Sequence, residues 1–249
     1  MIVLNYLLGY ENLKIYQDTD MFHFSLDSVL LPNFVTINTK IKQILDIGTG
    51  NAVIPMILST RTKANITGVE IQEKSYELAV KSVEYNHLDE QISIIHSDIK
   101  DYALECESDQ YDVITCNPPF FRVGEQSHLN DSNEKTIARH EVSLTLEDIM
   151  KVSRKLLKNN GLLALVHRPE RLLDILTLMR ENNIEPKKIQ FVYPKQNKEA
   201  NIVLVEGAKN GKSGLKILPP IYAHDENGDY TKEVQAYFVG GENHVTEEL

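Results

Sequence analysis

Asn117-Pro118-Pro119-Phe120 is the stretch of this sequence with the most specific chemistry. Two successive prolines remove backbone donors and stiffen the chain. What remains is a set of acceptors, chiefly the Asn117 side-chain oxygen and the Pro118 carbonyl. An amine attached to an aromatic ring is a poor nucleophile, because its lone pair is delocalised. Hydrogen bonds from its two N–H groups to those oxygens would localise the pair and make attack on an electrophilic carbon feasible. Phe120 could stack on the ring. Such a site works by alignment and by stabilising the changing charge, and it needs neither a metal nor a protein nucleophile. Taken alone, the tetrapeptide would also serve as a turn that ends a strand.

A second constellation lies upstream. Asp46-Ile47-Gly48-Thr49-Gly50-Asn51-Ala52 falls where an apolar strand gives way to a helix, and its small residues let backbone approach a ligand closely. Ala52 or Val53 stands where a dinucleotide fingerprint has its third glycine, which weakens a nicotinamide-cofactor reading. Asp-x-Gly-x-Gly instead resembles the first motif of Rossmann-like methyltransferases. Glu70 closes the next apolar run 22 residues after Gly48, where a carboxylate can accept from both hydroxyls of a ribose, with Ile71 beside it. Asp98 follows one strand later, at the position where methyltransferases commonly bind the adenine amino group. Each acid alone would more often be a helix cap or a surface charge; their placement at successive strand ends gives them weight. The expected cofactor is S-adenosylmethionine, held by Asp46, Gly48, Thr49, Gly50, Asn51, Glu70, Ile71, Asp98 and Asn117, with its sulfonium methyl as the electrophile.

The elements that must position these residues read as alternating strands and helices. Apolar runs at Gln43–Ile47, Ile66–Ile71, Ile92–His96, Asp112–Cys116 and Leu162–Val166 have the character of buried parallel strands. Glu73–His87, with Tyr76, Leu78, Ala79, Val83 and Tyr85, and Leu146–Leu157, with Ile149, Val152 and Leu156, carry helical spacing. Pro169–Asn183 begins with proline at a first-turn position. Lys188–Tyr193 and Asn201–Glu206 have no helix-length connection between them, so they should pair antiparallel. Ala208–Gly214 reads as a turn leading into an acidic tail without clear periodicity. The expected architecture is one α/β domain over 1–249, with 1–42 as an N-terminal lid or extension, 43–206 as the catalytic core and 207–249 as a C-terminal extension.

Composition narrows the class. The N-terminus lacks the pattern of a signal peptide, and no stretch approaches the roughly 20 apolar residues that cross a bilayer, so a cytoplasmic protein without membrane association is expected. Cys106 and Cys116 match neither a redox pair nor a zinc site, so both read as packing residues and no metal is expected. The net charge of −10 argues against a generally basic surface, but it is unevenly spread. Residues 1–150 hold 11 Lys and Arg against 23 Asp and Glu, 151–216 hold 14 against 6, and 217–249 hold 1 against 7. The middle-to-late segment therefore offers either a phosphate-facing patch or an ordinary solvated face.

Asp46–Asn51, Glu70, Asp98 and Asn117–Phe120, together with Phe22–Leu31 (Phe-His-Phe-Ser-Leu-Asp-Ser-Val-Leu-Leu) and Ala200–Glu206 (Ala-Asn-Ile-Val-Leu-Val-Glu), resemble the bacterial tRNA1(Val) adenine-N(6)-methyltransferase family over nearly the whole chain. The resemblance implies a Rossmann-like class I methyltransferase fold: a mostly parallel seven-stranded sheet with an antiparallel C-terminal hairpin and helices on both faces. It implies methylation of the 6-amino group of adenosine 37, beside the anticodon, with Asn117, Pro118, Pro119 and Phe120 as the catalytic motif and tRNA as partner. Adenine-modifying relatives usually have tyrosine in place of Phe120, and the phenylalanine version also resembles rRNA guanine-N(2)-methyltransferases. Because the target base must leave its stack, the polar segment Phe121–Leu144 reads as a substrate-facing loop or a plain connector, with Phe120, Phe121, Arg122, Arg139 and His140 as candidate RNA contacts. In Phe22–Leu31, Ser25 or Asp27 is a candidate polar contact. Methylation of a protein glutamine and a non-catalytic cofactor- or RNA-binding module are the competing readings; the basic 151–216 segment favours RNA over the first, and the intact Asn-Pro-Pro-Phe motif argues against the second.

Overall fold

The apolar runs assemble into a nine-stranded sheet in a computed structural model that describes residues 1–7, 10–19, 26–118 and 144–238. An antiparallel hairpin comes first, β1 (Ile2–Leu7) and β2 (Tyr10–Asp18), followed by α1 (Leu26–Phe34). The alternating part is β3 (Gln43–Ile47), α2 (Val53–Ser59), β4 (Asn65–Glu70), α3 (Glu73–Tyr85), β5 (Ile92–His96), α4 (Ile99–Glu105), β6 (Tyr111–Cys116), α5 (Leu146–Leu156) and β7 (Leu157–His167). A 3-10 turn at Pro169–Arg171 leads into α6 (Leu172–Glu181), then β8 (Ile184–Tyr193) and β9 (Ile202–Lys209). Two short strands, β10 (Lys216–Ile217) and β11 (Ile221–Tyr222), and α7 (Lys232–Phe238) complete the chain as described.

The sheet runs β10-β8-β9-β7-β6-β3-β4-β5, with β11 also pairing β8. Strands β3 to β7 are mutually parallel, while β9 lies antiparallel between β7 and β8. From β3 the chain steps outward to β4 and β5, then returns to place β6 on the opposite side of β3. That reversal opens a crevice at the carboxyl ends of β3 and β6, the place where such sheets bind ligands.

Both faces of the sheet are covered, which explains the near-continuous apolar strands. On one face Ile44, Ile66, Val113 and Val166 pack with Val29, Ile57 and Ala79 of α1, α2 and α3. On the other, Leu45, Ile47, Ile114 and Leu165 pack with Ala103, Ile149 and Ile175 of α4, α5 and α6. Helix α5 begins where its sequence directs: the Thr145 hydroxyl accepts from Asp148 N–H at 3.2 Å and the Asp148 carboxylate accepts from Thr145 N–H at 3.1 Å. Among the described residues, no helix is long and apolar enough to cross a membrane.

The seven longer strands of the sheet are those expected from the sequence, including the β8–β9 antiparallel pair. Three local readings change. The buried stripe of α3 is Ser75, Leu78, Ala79, Ser82 and Val83, whereas Tyr85 is exposed. Hairpin β1–β2 covers this helix, and the Ser82 hydroxyl both donates to the Leu78 carbonyl and accepts from Tyr16 N–H, so a polar residue is satisfied inside. Strand β9 continues through Ala208 and Lys209, pairing with β7 and β8, so the expected turn begins later. The C-terminal segment is not structureless: β10 and β11 extend the edge of the sheet parallel to β8, and α7 packs against α1 with Val234 buried. Two-residue strands are too short to show any periodicity.

Candidate active site

Strand register brings the chemical residues together. Ile47 is paired with Cys116 on one side and Val69 on the other, and Glu70 is paired with His96. Residues that follow these pairs, Gly48, Asn117, Ile71 and Ser97, therefore emerge side by side at the carboxyl ends of β3, β6, β4 and β5. Three of the sequence signals, the glycine loop, the acid at the end of β4 and Asn117, converge on the crevice opened by the topology.

The glycine loop leaves β3 in a conformation that its composition allows. Gly48 and Gly50 take φ of 65° and 56°, the left-handed region where a side chain is strained, and open space surrounds the position of each missing Cβ. Gly48 and Thr49 N–H both donate to the Val69 carbonyl, at 2.9 and 3.1 Å. Gly50 N–H donates to Glu70 Oε2 at 2.8 Å. Glu70 is 4% exposed, and its other oxygen accepts from Gln72 N–H at 2.8 Å. Each carboxylate oxygen retains a second lone pair, so the group that shapes the loop can still receive hydroxyl donors.

Asp46 lies below the loop. Its side chain is fully buried, and its two oxygens accept from the hydroxyls of Thr49, at 2.7 Å, and Thr115, at 2.6 Å. Burial pushes its carboxyl up to about 7 against the lowering effect of both hydroxyls, and the nearby charge of Glu70 raises it further. Asp46 thus braces the floor of the crevice through Thr49. Thr49 sits over Gly68, in space that only glycine leaves open: a Cβ added at Gly68 would stand 2.8 Å from its hydroxyl oxygen.

Ile71, just beyond the carboxyl end of β4, is 43% exposed, and its carbonyl is held by His96 Nε2 at 3.0 Å. Asp98 caps α4 by accepting from Lys100 N–H at 2.8 Å and lies 3.4 Å from the Lys100 ammonium. The helix-capping role is therefore real, and the other oxygen is the one that faces the Lys100 ammonium. Asn51 donates from its side chain to the Tyr16 carbonyl at 3.1 Å, tying the glycine loop to the N-terminal hairpin.

Asn117 extends from the end of β6, half-buried, with Pro118 buried behind it. Its amide nitrogen donates to the Ser28 hydroxyl of α1 at 3.2 Å, which leaves the amide oxygen as the free acceptor of the group. Pro119, Phe120, Phe121, Arg122, Arg139 and His140 lie outside the described residues, as does Ser25. Asp27, the other candidate of that segment, is buried in the first turn of α1.

Four lysines of 151–216 are engaged with other parts of the fold. Lys155 bonds the Ala103 carbonyl, Lys158 pairs with Asp112, Lys188 with Glu206 and Lys209 with Asp109, so several are spent inside the fold on different elements. Cys116 is buried in β6 and Cys106 is half-buried. Among the described residues, no group of three or more His, Cys, Asp or Glu could hold a metal ion.

The residues present fit a nucleoside-bearing cofactor: a loop open at two glycines, a buried carboxylate beneath it, an apolar rim residue and an amide acceptor at the adjacent strand end. Comparison with known proteins agrees with this geometry. Residues 23–183 match the model of the methyltransferase small domain. A tRNA1(Val) (adenine(37)-N6)-methyltransferase from Flavobacterium psychrophilum is 28% identical over 94% of this chain and 98% of its own. One of the same name from Flavobacterium johnsoniae is 29% identical over 85% of this chain and 88% of its own. Among solved structures, a predicted O-methyltransferase from Agrobacterium tumefaciens superposes with a TM-score of 0.70 at 19% identity, covering 88% of this chain and 98% of its own. The last shares the fold. On sequence and architecture together, the chain belongs to the methyltransferase small-domain family.

Proposed function

We propose that this protein transfers a methyl group from S-adenosylmethionine to the 6-amino group of adenosine 37 in tRNA1(Val). The observation that carries the reading is the alignment of the glycine loop, Glu70 and Asn117 at neighbouring strand ends, in a chain similar over almost its whole length to relatives bearing that activity in their names.

S-adenosylmethionine, when bound, supplies a methyl group made electrophilic by a sulfonium centre. Gly48, Thr49, Gly50 and Asn51 would hold it along the loop, Glu70 would accept from its ribose hydroxyls, Ile71 would cover its base and Asp98 would accept from the base amine. Asp46 supports that loop from below through Thr49. Asn117 acts on the substrate: its Oδ1 and the Pro118 carbonyl accept the two N–H groups of the adenine amine and localise the lone pair. Phe120 stacks on the flipped base, and Phe121, Arg122, Arg139 and His140 belong to the segment that meets RNA. The chain works as a single methyltransferase unit, with residues 43–206 carrying the catalytic elements. Its place is the cytoplasm, where tRNA is processed.

Phe120 favours one second reading, an rRNA guanine-N(2) activity, since the adenine-modifying pattern usually has tyrosine there. Methyl transfer from labelled S-adenosylmethionine to unmodified bulk tRNA and to rRNA, followed by nucleoside analysis, separates the two. N6-methyladenosine in valine tRNA supports the proposal. Methylguanosine in rRNA moves the assignment to the second reading, and absence of label in either RNA overturns both.

A further inference from the structure

Asn117 can localise the lone pair of an amine only if its oxygen, rather than its nitrogen, faces that amine. A carboxamide is nearly symmetric in shape, and a half-turn about its last torsion exchanges an acceptor for a donor. The contact that holds this group comes from a distant part of the chain: Asn117 Nδ2 donates to Ser28 Oγ at 3.2 Å across 89 positions of sequence. A hydroxyl can donate as well as accept, so the contact fixes where the carboxamide lies; with the nitrogen engaged there Oδ1 is left for the crevice, and an incoming amine that offers two N–H donors favours that orientation.

Ser28 is itself held firmly. It lies in the first turn of α1, a helix whose Val29, Leu30 and Leu31 are buried against the sheet. Pro32 lacks the N–H that would bond the Ser28 carbonyl in a regular helix, and one residue on Asn33 donates from its side chain to the Val29 carbonyl at 2.8 Å. Arg61 bonds the Pro32 carbonyl and reaches the Val35 carbonyl at 3.3 Å. At the far end of the helix, Thr36 is bonded to Glu206. A short hydroxyl on a helix fixed in this way is a suitable anchor for the position of a neighbouring amide.

We infer that Ser28 is a positioning residue for methyl transfer: by accepting the Asn117 amide N–H it holds the carboxamide where its oxygen can receive the substrate amine. This rests on the proposed function, since it presumes that Asn117 receives an amine. It assigns to α1 a role in the rate of the chemical step, separate from its packing.

The test compares wild type with Ser28→Ala and Ser28→Thr, using labelled S-adenosylmethionine and an unmodified valine tRNA transcript. A neutral hydrogen bond of ordinary strength corresponds to a fall in kcat of roughly three- to tenfold for Ser28→Ala, with the KM for S-adenosylmethionine changed by less than about twofold. Ser28→Thr, which keeps the hydroxyl, should recover most of the rate. An unchanged kcat in Ser28→Ala overturns the inference, as does a loss of cofactor affinity that accounts for the whole effect. A second readout does not depend on turnover. In 15N-labelled protein the Asn117 side-chain NH2 signals, identified by their loss in Asn117→Asp, should shift in Ser28→Ala and return in Ser28→Thr. Signals that stay in place overturn the inference even if the RNA substrate proves to be different. If wild type methylates no adenosine while these signals behave as described, the substrate reading fails and the orienting contact stands.

Discussion

Glu206 on β9 accepts the backbone N–H and the hydroxyl of Thr36 at 2.7 Å each, joining positions 170 residues apart. Lys188 on β8 completes the cluster, donating to the Phe34 carbonyl at 2.7 Å and to Thr36 Oγ1 at 2.9 Å while standing 3.2 Å from Glu206. The C-terminal hairpin thus holds the end of α1, the helix whose first turn reaches Asn117.

Breaking this cluster leaves a largely buried ammonium without its counter-charge. Burial already lowers the Lys188 pKa, and Glu206 offsets that effect. Glu206→Ala is expected to destabilise the protein by about 3 kcal/mol, equivalent to a Tm lower by roughly 6–12 °C. Glu206→Gln, which keeps an acceptor, should lose less. Thermal denaturation at neutral pH measures both; equal Tm values for wild type and Glu206→Ala would refute the anchoring role.

Asn117→Ala removes the amine acceptor without touching the loop at Gly48–Gly50. Turnover should fall by about 100-fold or more, in the range seen when one preorganised polar contact to the reacting group is deleted. Affinity for S-adenosylmethionine should hold within about twofold, because Asn117 acts chiefly on the substrate. Isothermal titration alongside single-turnover kinetics separates the two quantities, and a parallel collapse of cofactor binding would contradict the assignment.

Glu70 carries the opposite expectation. Replacing it with alanine removes the acceptor for Gly50 N–H and Gln72 N–H as well as the ribose contact. Two charge-assisted hydrogen bonds to a ligand correspond to an affinity loss on the order of 100-fold. Glu70→Gln should fall between, since its amide oxygen can accept while its nitrogen cannot. A Kd for S-adenosylmethionine that does not respond to Glu70→Ala would remove this residue from the cofactor site.

Asp46 predicts a pH dependence of stability. Its carboxyl titrates near 7 in the folded protein and near about 3.9 when unfolded. The folded state therefore holds this proton more tightly, and the associated stability, complete below about pH 4, is lost as pH rises through 7. Asp46→Asn never ionises, and the Thr49 and Thr115 hydroxyls can accept from its amide as readily as they donate to the carboxylate. Its stability relative to wild type should rise between pH 5 and pH 8, by up to a few kcal/mol. Urea denaturation across that range is the measurement, and a pH-independent difference would show that Asp46 does not titrate there.

Much of this protein is written in local sequence. The apolar runs of β3, β4, β5 and β6 are long enough to be read as buried strands, and the positive φ values at Gly48 and Gly50 follow from a loop that only glycine enters without strain. Glu70 could be placed because the acid that meets a ribose stands about 20 residues beyond the glycine loop, at the end of the next strand. Asn117-Pro118 carries its own stereochemistry.

Other relationships had no local signal. Ser28 and Asn117, Thr36 and Glu206, and Asn51 and Tyr16 are polar pairs between segments far apart in sequence, and a serine in a helix or a threonine beyond its end has many possible partners until packing selects one. The lysines of 151–216 form one basic segment in sequence, yet the fold sends Lys155, Lys158, Lys188 and Lys209 to separate internal partners. Residue type and spacing determined which groups could do chemistry and on which strand ends they stand, because those depend on chain geometry over a few residues. Where the Asn117 carboxamide lies at the crevice, and what holds it there, was decided only when distant elements packed, because a side-chain amide is placed by the partner that tertiary structure supplies.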